Sequence, residues 1–162
     1  METQRGYDSY TTGAIAIVYN IGAICGGLFF GALSQRIGRK KAIVIAALLA
    51  IPVAPLWVYA PGPVLLAIGA FLMQFFVQGA WGIVPAHVNE LSPNHLRGFF
   101  PGFAYQLGVM FAASIPYVES RLGEHFTYTQ AMGGLVALVF VVAFIVVLFG
   151  PEAKGVSFRK HA

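Results

Sequence analysis

The feature that most constrains this chain is the placement of its charged residues, which leaves four long stretches with none. No Asp, Glu, Lys or Arg occurs in residues 9–35, 42–89, 98–118 or 125–151. A helix that crosses the hydrocarbon core of a membrane needs about 20 consecutive, mostly apolar residues. Each stretch is long enough for one crossing, and 42–89, which contains a Pro-Gly-Pro turn, is long enough for two. Charged residues make up 10% of the chain, against about 25% in a soluble domain, which excludes a water-soluble globule.

The stretches predict helices rather than the strands of a membrane barrel. Backbone groups in hydrocarbon must be paired within the protein, which leaves helices or closed barrels. Barrel strands alternate polar and apolar residues over about ten positions, whereas these stretches are continuously apolar. We therefore predict an all-α membrane protein that forms a single transmembrane domain over residues 1–162. Its five predicted spans are 10–33, 42–60, 64–88, 98–118 and 127–149.

The positive charges predict how these spans are oriented. The segments 34–41, 89–97 and 150–162 hold eight Lys and Arg residues, whereas the segments on the opposite side hold two, Arg5 and Arg121. Short loops rich in Lys and Arg stay in the cytoplasm. We therefore expect the amino terminus outside the cell and the carboxyl terminus in the cytoplasm. The protein is expected to be a multi-pass protein of a plasma membrane, as in the bacterial inner membrane, with the lipid bilayer around it.

The first span carries pairs of glycines four residues apart. Gly22 and Gly26 form one pair and Gly27 and Gly31 the other, a spacing that lets helix backbones approach closely. Asn20 lies on nearly the same stripe as the second pair, because seven residues make almost two helical turns. Asn20 either hydrogen bonds to a neighbouring helix or lines a substrate path.

Polar residues near the middle of the third and fourth spans predict a cavity. Gln74, Gln78 and Trp81 fall within one arc of about 60° on a helix. Polar side chains are costly in lipid, so this face should turn toward protein or a watery cavity. Structural hydrogen bonds are the alternative. Tyr105 and Gln106 occupy a comparable position in the fourth span.

The chain shows none of the motifs of a soluble or membrane enzyme. It contains no His-Glu-x-x-His, Cys-x-x-Cys or Gly-x-Ser-x-Gly sequence, and each of these marks a site that needs its residues at that spacing. We therefore predict no catalytic residues, no metal and no cofactor. The longest basic run is only the triplet Arg39-Lys40-Lys41, so a nucleic-acid partner is not expected.

The first basic loop carries the most specific motif of the chain. Gly31 permits close helix approach, Gly38 makes the turn, and the cations lie where helix carbonyl ends and anionic lipid headgroups attract them. The loop reads Gly31-Ala-Leu-Ser-Gln-Arg36-Ile-Gly38-Arg39-Lys40-Lys41. It resembles the signature loop of the major facilitator superfamily, Gly-x-Leu-x-Asp-Arg-x-Gly-Arg-Arg/Lys-Arg/Lys. Gln35 departs from that pattern, because it replaces the acidic residue.

Two further segments resemble the same family. Residues 85–98 are similar to the Glu-x-x-Pro-x-x-x-Arg-Gly loop of sugar-porter-like members, and residues 150–158 are similar to the Pro-Glu-Thr-Lys-Gly sequence beyond their last helix. Segments 85–93 and 101–108 are also similar to bacterial sialate/lactate-type proton symporters. Taken in order, the motifs resemble the carboxyl-terminal half of the family, helices eight to twelve, and thus a partial major facilitator fold.

The resemblance implies a secondary transporter that works by alternating access. Its substrate would be a small organic solute, such as a monocarboxylate or sialic acid moved with protons, and its missing amino-terminal half would be a required partner. The resemblance implies that the third span, with Gln74, Gln78 and Trp81, lines the central cavity and that the first and fourth spans form the interface with the other half. Together with Asn20, Tyr105 and Gln106, these three are the predicted cavity residues. The resemblance also implies a cytoplasmic charge network that latches the outward-open state, formed by Gly31, Arg36, Gly38, Arg39, Glu90, Arg97 and Glu152. The alternatives are solvated charges that only set orientation, a membrane scaffold without transport, and a fragment of a sugar-type transporter.

Overall fold

Three long helices make up more than half of the fold in a computed structural model that describes residues 6–124 and 126–152. Helix α1 spans Ser9–Ile37, α2 spans Arg39–Val58 and α3 spans Pro63–Leu91. All three are long and apolar enough to cross a membrane. They overlap the predicted spans 10–33, 42–60 and 64–88. The described residues are helical apart from turns and connecting segments, as an all-α membrane protein requires.

The ends of these helices follow from their capping residues. The side chain of Asp8 accepts a hydrogen bond from the backbone N–H of Thr11 (3.3 Å) and so caps the start of α1. Gly38 connects α1 to α2 with a φ of 104°, a backbone conformation that favours glycine. Pro63 occupies the first turn of α3, where its missing N–H costs no hydrogen bond.

The fourth predicted span, 98–118, is divided between two shorter helices. Helix α4 spans Phe100–Ala112 and α5 spans Ile115–Leu122. Pro116 lies just after the break and has no N–H for a helical hydrogen bond, although Pro52, Pro55 and Pro85 lie inside the continuous helices α2 and α3. The Ser114 hydroxyl donates to the carbonyl of Phe111 (2.7 Å) at the break. Because α4 and α5 are both shorter than the roughly 20 residues of a full crossing, the count of five spans stays a prediction.

Helix α6, the last described helix, spans Tyr128–Phe149 and overlaps the predicted span 127–149. It starts with a capping box, in which the Thr127 hydroxyl accepts from the backbone N–H of Gln130 (3.4 Å). The Gln130 side chain accepts in return from the backbone N–H of Thr127 (3.2 Å). The basic tail residues Lys154, Arg159 and Lys160, which contribute to the predicted orientation, lie outside the described residues.

Helices α1 and α3 touch backbone to backbone through glycine. A Cβ at Gly22 would collide with the carbonyl oxygen of Phe71, and one at Gly26 with that of Phe75. The prediction of close approach is thus confirmed for this pair. Among the described residues, no atom outside the neighbouring turns of its own helix lies within 4 Å of where a Cβ on Gly31 of the second pair would stand.

The apolar core lies among α1, α2 and α3. One buried cluster contains Phe30, Ala42, Ile43, Ala46 and Ile83, packed against Phe75 and Phe76. Alanines on α2 allow it to lie close to α3. In contrast, α4 and α5 contain no buried residue. The bundle of α1–α3 therefore positions the polar groups described next, and α4–α6 lie against its outside.

Candidate functional site

An ion pair joins the start of α2 to the end of α3. Arg39, the first residue of α2, places its Nη2 atom 2.8 Å from Oε1 of Glu90. Its Nε atom donates to both carboxylate oxygens, at 3.2 and 3.1 Å. The two side chains are only 19% and 11% exposed, so solvent screens this pair less than an ordinary surface salt bridge.

Ser34 connects this ion pair to the last turns of α1. The Nη1 atom of Arg39 donates to the Ser34 hydroxyl at 2.6 Å, and the hydroxyl donates to the carbonyl oxygen of Gly31 at 2.7 Å. Ser34 is fully buried. Sequence analysis missed this residue. Its position between Gly31 and Arg39 in the loop motif was the available signal.

Glu152 brings the segment after α6 to the amino-terminal end of α2. Its carboxylate accepts from the backbone N–H groups of Arg39 (3.0 Å) and Lys40 (3.2 Å). These N–H groups have no partner within the helix, and a negative charge is favourable at a helix amino terminus. The Nζ atom of Lys40 also donates to the carbonyl oxygen of Gly150 (2.9 Å). Gly38 packs against the carboxylate, since a Cβ there would lie 2.6 Å from Oε2 of Glu152.

Of the two remaining residues of the predicted network, Arg97 lies in the turn between α3 and α4 and Arg36 lies near the end of α1. Arg97 donates from Nε to the carbonyl oxygen of Asn89 (3.3 Å) and from Nη2 to that of Ser92 (3.3 Å), which holds the loop after α3 against its helix. Arg36 lies in the last turn of α1. The segments 34–41, 89–97 and 150–152 thus meet at one end of the bundle. We call the group formed by Ser34, Arg39, Glu90 and Glu152 the charged cluster.

A groove of about 580 Å³ between α3 and α4 contains two of the six predicted cavity residues. The rings of Trp81 and Tyr105 meet edge to face there, with centroids 5.9 Å apart. Both side chains are about half exposed, at 51% and 53%. Val84, Val88 and Val109 are among the apolar residues of the wall. The groove can therefore hold an apolar group against two aromatic rings.

Gln74 lines a separate pocket of about 300 Å³, between α1, α2, α3, α5 and α6. Tyr19, Trp57 and Glu119 share this pocket with it. Sequence analysis did not predict a role for Trp57 or Glu119 in any site. Glu119 lies in α5, one residue beyond the predicted end of the fourth span.

The other three predicted cavity residues have different surroundings. Asn20 donates from Nδ2 to the carbonyl oxygen of Ala16 (2.7 Å), so its amide group is bonded to its own helix. Gln78 is half-buried on α3, and Gln106 is exposed on α4. The structure thus brings Trp81 together with Tyr105, but it places Gln74 in another pocket.

Comparison with known proteins gives a consistent result. The family model described as "Sugar (and other) transporter" matches residues 1–160. The chain is 31% identical, over 166 aligned positions, to a carboxylic acid transporter protein homolog from Saccharomyces cerevisiae, covering 94% of this chain and 27% of that protein. It is 26% identical to a sialic acid transporter from Escherichia coli, covering 96% of this chain and 38% of the relative. It is 29% identical to the human facilitated glucose transporter member 4, and the match covers 84% of this chain and 28% of that protein. The chain therefore spans about a third of the length of these relatives.

Proposed function

This chain belongs to the sugar (and other) transporter family, and we propose that its helices form helices eight to twelve of a secondary transporter for a small organic solute. Such transporters consist of two helical bundles that rock about a site near the middle of the membrane. The described helices form one bundle, which alone cannot enclose a site from both sides. Transport is therefore proposed to require a second bundle, equivalent to the amino-terminal half of a major facilitator transporter.

The proposed orientation places the charged cluster in the cytoplasm and the start of α1 outside. The positive charges of the loops argue for it. The meeting of 34–41, 89–97 and 150–152 at one end of the bundle supports it, because segments on opposite sides of a membrane cannot touch. We propose the plasma membrane as the location, and the bacterial inner membrane as the specific one.

The charged cluster is proposed to latch the outward-open state. The Arg39–Glu90 ion pair, at 2.8 Å, is the observation that carries this proposal. It holds the cytoplasmic ends of α2 and α3 together, while Glu152 holds the segment after α6 to the same point. A contact made in only one access state stabilises that state, so its loss shifts the population toward the other. Arg97, Arg36, Gly31 and Gly38 would support the latch by shaping the loops around it.

The proposed substrate is a small organic acid, such as a monocarboxylate or sialic acid, moved together with protons. The names of the relatives from yeast and Escherichia coli support an organic acid. The proposed cavity residues are Gln74, Gln78, Trp81, Asn20, Tyr105 and Gln106, of which Trp81 and Tyr105 already share a groove. Amide and indole N–H groups are suitable donors to a carboxylate.

An uptake experiment tests the proposal. The chain is fused behind the amino-terminal helices of the Escherichia coli sialic acid transporter, reconstituted in proteoliposomes, and supplied with labelled lactate, sialic acid or glucose. We expect uptake of an organic acid by the fusion and none by the chain alone. Glu90→Gln should change access-state labelling and reduce uptake, whereas Glu124→Gln, in an exposed pair with Arg121, should not.

Each outcome decides between the alternatives. Uptake by the chain alone would overturn the need for a second bundle, and uptake of glucose only would favour a sugar-type transporter. Normal helix content without uptake of any solute would favour a membrane scaffold. Unchanged labelling and uptake in Glu90→Gln would overturn the latch.

A further inference from the structure

Ser34 carries a fully buried polar side chain beside the Arg39–Glu90 ion pair. It is one of two buried polar or charged residues among those that the structure describes, and its exposed fraction is 0%. It lies near the end of α1, whereas Arg39 begins α2 and Glu90 lies near the end of α3. A hydroxyl group that is fully removed from water needs its hydrogen-bond partners within the protein.

The chemistry of the partners fixes the direction of both hydrogen bonds of the Ser34 hydroxyl. An arginine guanidinium has only donors, so the Nη1 atom of Arg39 donates and the Ser34 oxygen accepts, at 2.6 Å. The single hydroxyl hydrogen is then left for the carbonyl oxygen of Gly31, 2.7 Å away in α1 itself. Because this second bond holds the hydrogen against α1, a lone pair of the oxygen is directed at α2. Ser34 is therefore an acceptor that is already positioned for a cation.

The guanidinium of Arg39 is held on two sides. Its Nε atom donates to the two carboxylate oxygens of Glu90 at 3.2 and 3.1 Å, and its Nη2 atom donates to Oε1 at 2.8 Å. The group is planar and rigid, so a bond at Nη1 also fixes the plane in which the other nitrogen atoms face the carboxylate. Ser34 and Glu90 share no hydrogen bond with each other among the described residues. Arg39 is thus the group through which one can influence the other.

From this geometry we propose that Ser34 is a positioning residue for the latch, whose hydroxyl orients the Arg39 guanidinium for two-point bonding to Glu90. The inference rests on the proposed function, because it names what regulates the strength of that latch. Without the hydroxyl, the guanidinium keeps its charge but rotates more freely, and its bonds to the carboxylate weaken. The population of access states then shifts in the same direction as when Glu90 itself is neutralised.

A double-mutant cycle on the full chain in mixed micelles tests the positioning role without transport. The variants are Ser34→Ala, Glu90→Gln and the two combined, and chemical unfolding followed by circular dichroism gives their unfolding equilibrium constants. Ser92→Ala is the matched control, because Ser92 is also buried and its hydroxyl also donates to a carbonyl oxygen of its own helix, that of Val88 (2.6 Å). Unlike Ser34, the Ser92 hydroxyl bonds to no cation among the described residues.

We expect Ser34→Ala to raise the unfolding equilibrium constant about tenfold in the parent chain, since a charged donor loses its acceptor. In the Glu90→Gln background the same substitution should raise it by no more than about threefold, because the bonds that Ser34 supports are already weakened. Ser92→Ala should have the same effect in both backgrounds.

Equal factors for Ser34→Ala in the two backgrounds, or a larger factor in the Glu90→Gln background, would overturn the proposal. If Ser34→Ala does not fold, Ser34→Cys takes its place in the cycle and is judged in the same way. Its thiol fills the buried site but is only a weak acceptor.

Access-state labelling of the fusion protein tests the consequence for the latch. Ser34→Ala should shift the labelling in the same direction as Glu90→Gln and by a smaller amount, whereas a serine with a purely structural role would lower stability without moving it. Ser114→Ala is the control and should leave the labelling unchanged, because the exposed Ser114 hydroxyl bonds to the carbonyl oxygen of Phe111 in its own segment.

The labelling separates failure of this proposal from failure of the latch. Unchanged labelling in Ser34→Ala, together with a shift in Glu90→Gln, would overturn the role of Ser34 and leave the latch in place. Unchanged labelling in both variants would overturn the latch itself, and the double-mutant cycle alone then decides whether Ser34 orients Arg39.

Discussion

The two parts of the chain, α1–α3 and α4–α6, differ in how they are held together. The first part has glycine contacts between backbones, a buried apolar cluster and a partly buried ion pair. In the second part, α4 and α5 bury no residue. Helices α4 and α6 are at least as apolar as α1–α3, whereas α5 contains Glu119 and Arg121. Apolar character alone therefore does not determine how much of a helix is buried, and neither does small-residue spacing, because Ala104, Gly108 and Ala112 lie four residues apart in α4 without burying it.

The largest expected effect concerns the glycine contacts. Gly26→Ala should lower the free energy of unfolding by about 2 to 3 kcal/mol, because the new Cβ meets the backbone of Phe75 rather than a side chain that can move. The measurement is chemical unfolding in mixed micelles followed by circular dichroism. Gly108→Ala in α4, where nothing lies within 4 Å, is the control and should be neutral or slightly stabilising. Equal losses in both variants would contradict the contrast between the two parts.

The next largest effect is expected when the partly buried ion pair is removed, and the exposed ion pair provides the comparison. Glu90→Gln should lower the free energy of unfolding by about 2 kcal/mol, since it leaves the partly buried Arg39 guanidinium without its charged partner. Glu124→Gln removes the exposed pair with Arg121, whose side chains are 62% and 56% exposed, and should change stability by less than about 1 kcal/mol. Unfolding of both variants at low and high salt measures this difference. The prediction is wrong if the two losses are equal.

A smaller effect is expected at the connection between α1 and α2. Gly38→Ala should lower the free energy of unfolding by about 1 to 2 kcal/mol. The φ of 104° at Gly38 is unfavourable for alanine, and the new Cβ would collide with the Glu152 carboxylate. Gly62→Ala is the matched control, because its φ is −156° and nothing lies within 4 Å. Thermal unfolding midpoints of the two variants should separate accordingly. Equal unfolding midpoints for Gly38→Ala and Gly62→Ala would refute the prediction that the positive φ of Gly38 disfavours alanine.

The smallest effect is expected at the break between α4 and α5. Pro116→Ala restores a backbone N–H and removes the ring clash, so the two helices should join more often. Hydrogen exchange of the amides of Ser114, Ile115 and Tyr117 should slow, while the amides of α3 should be unaffected. Exchange at these three amides as fast as in the parent chain would show that something other than Pro116 causes the break.

The sequence predicted the parts of the fold that depend on local pattern. Length and apolar character were enough for the three long helices, and the spacing of Gly22 and Gly26 was enough to predict a close helix contact but not that α3 is the partner. The loop motif predicted that Arg39, Glu90 and Glu152 belong together, and the structure places them in contact. The role of this charged cluster as a latch stays a prediction.

The remaining features depend on tertiary contacts that no local pattern contains. Pro116 lies inside an apolar run, so hydropathy extends the fourth span through the break. Ser34 is bonded to Arg39 only because α2 turns back at Gly38. The pocket with Trp57 and Glu119 combines residues from five helices, and the separation of Gln74 from Trp81 depends on where α4 and α5 lie.

The bond from Glu152 to the start of α2 has a consequence for the order of assembly. During synthesis α2 emerges long before α6, so the two N–H groups that the carboxylate accepts from must first be satisfied by water or headgroups. Closing this contact joins residues 113 positions apart, so the first turn of α2 becomes fully bonded only after α6 has been inserted.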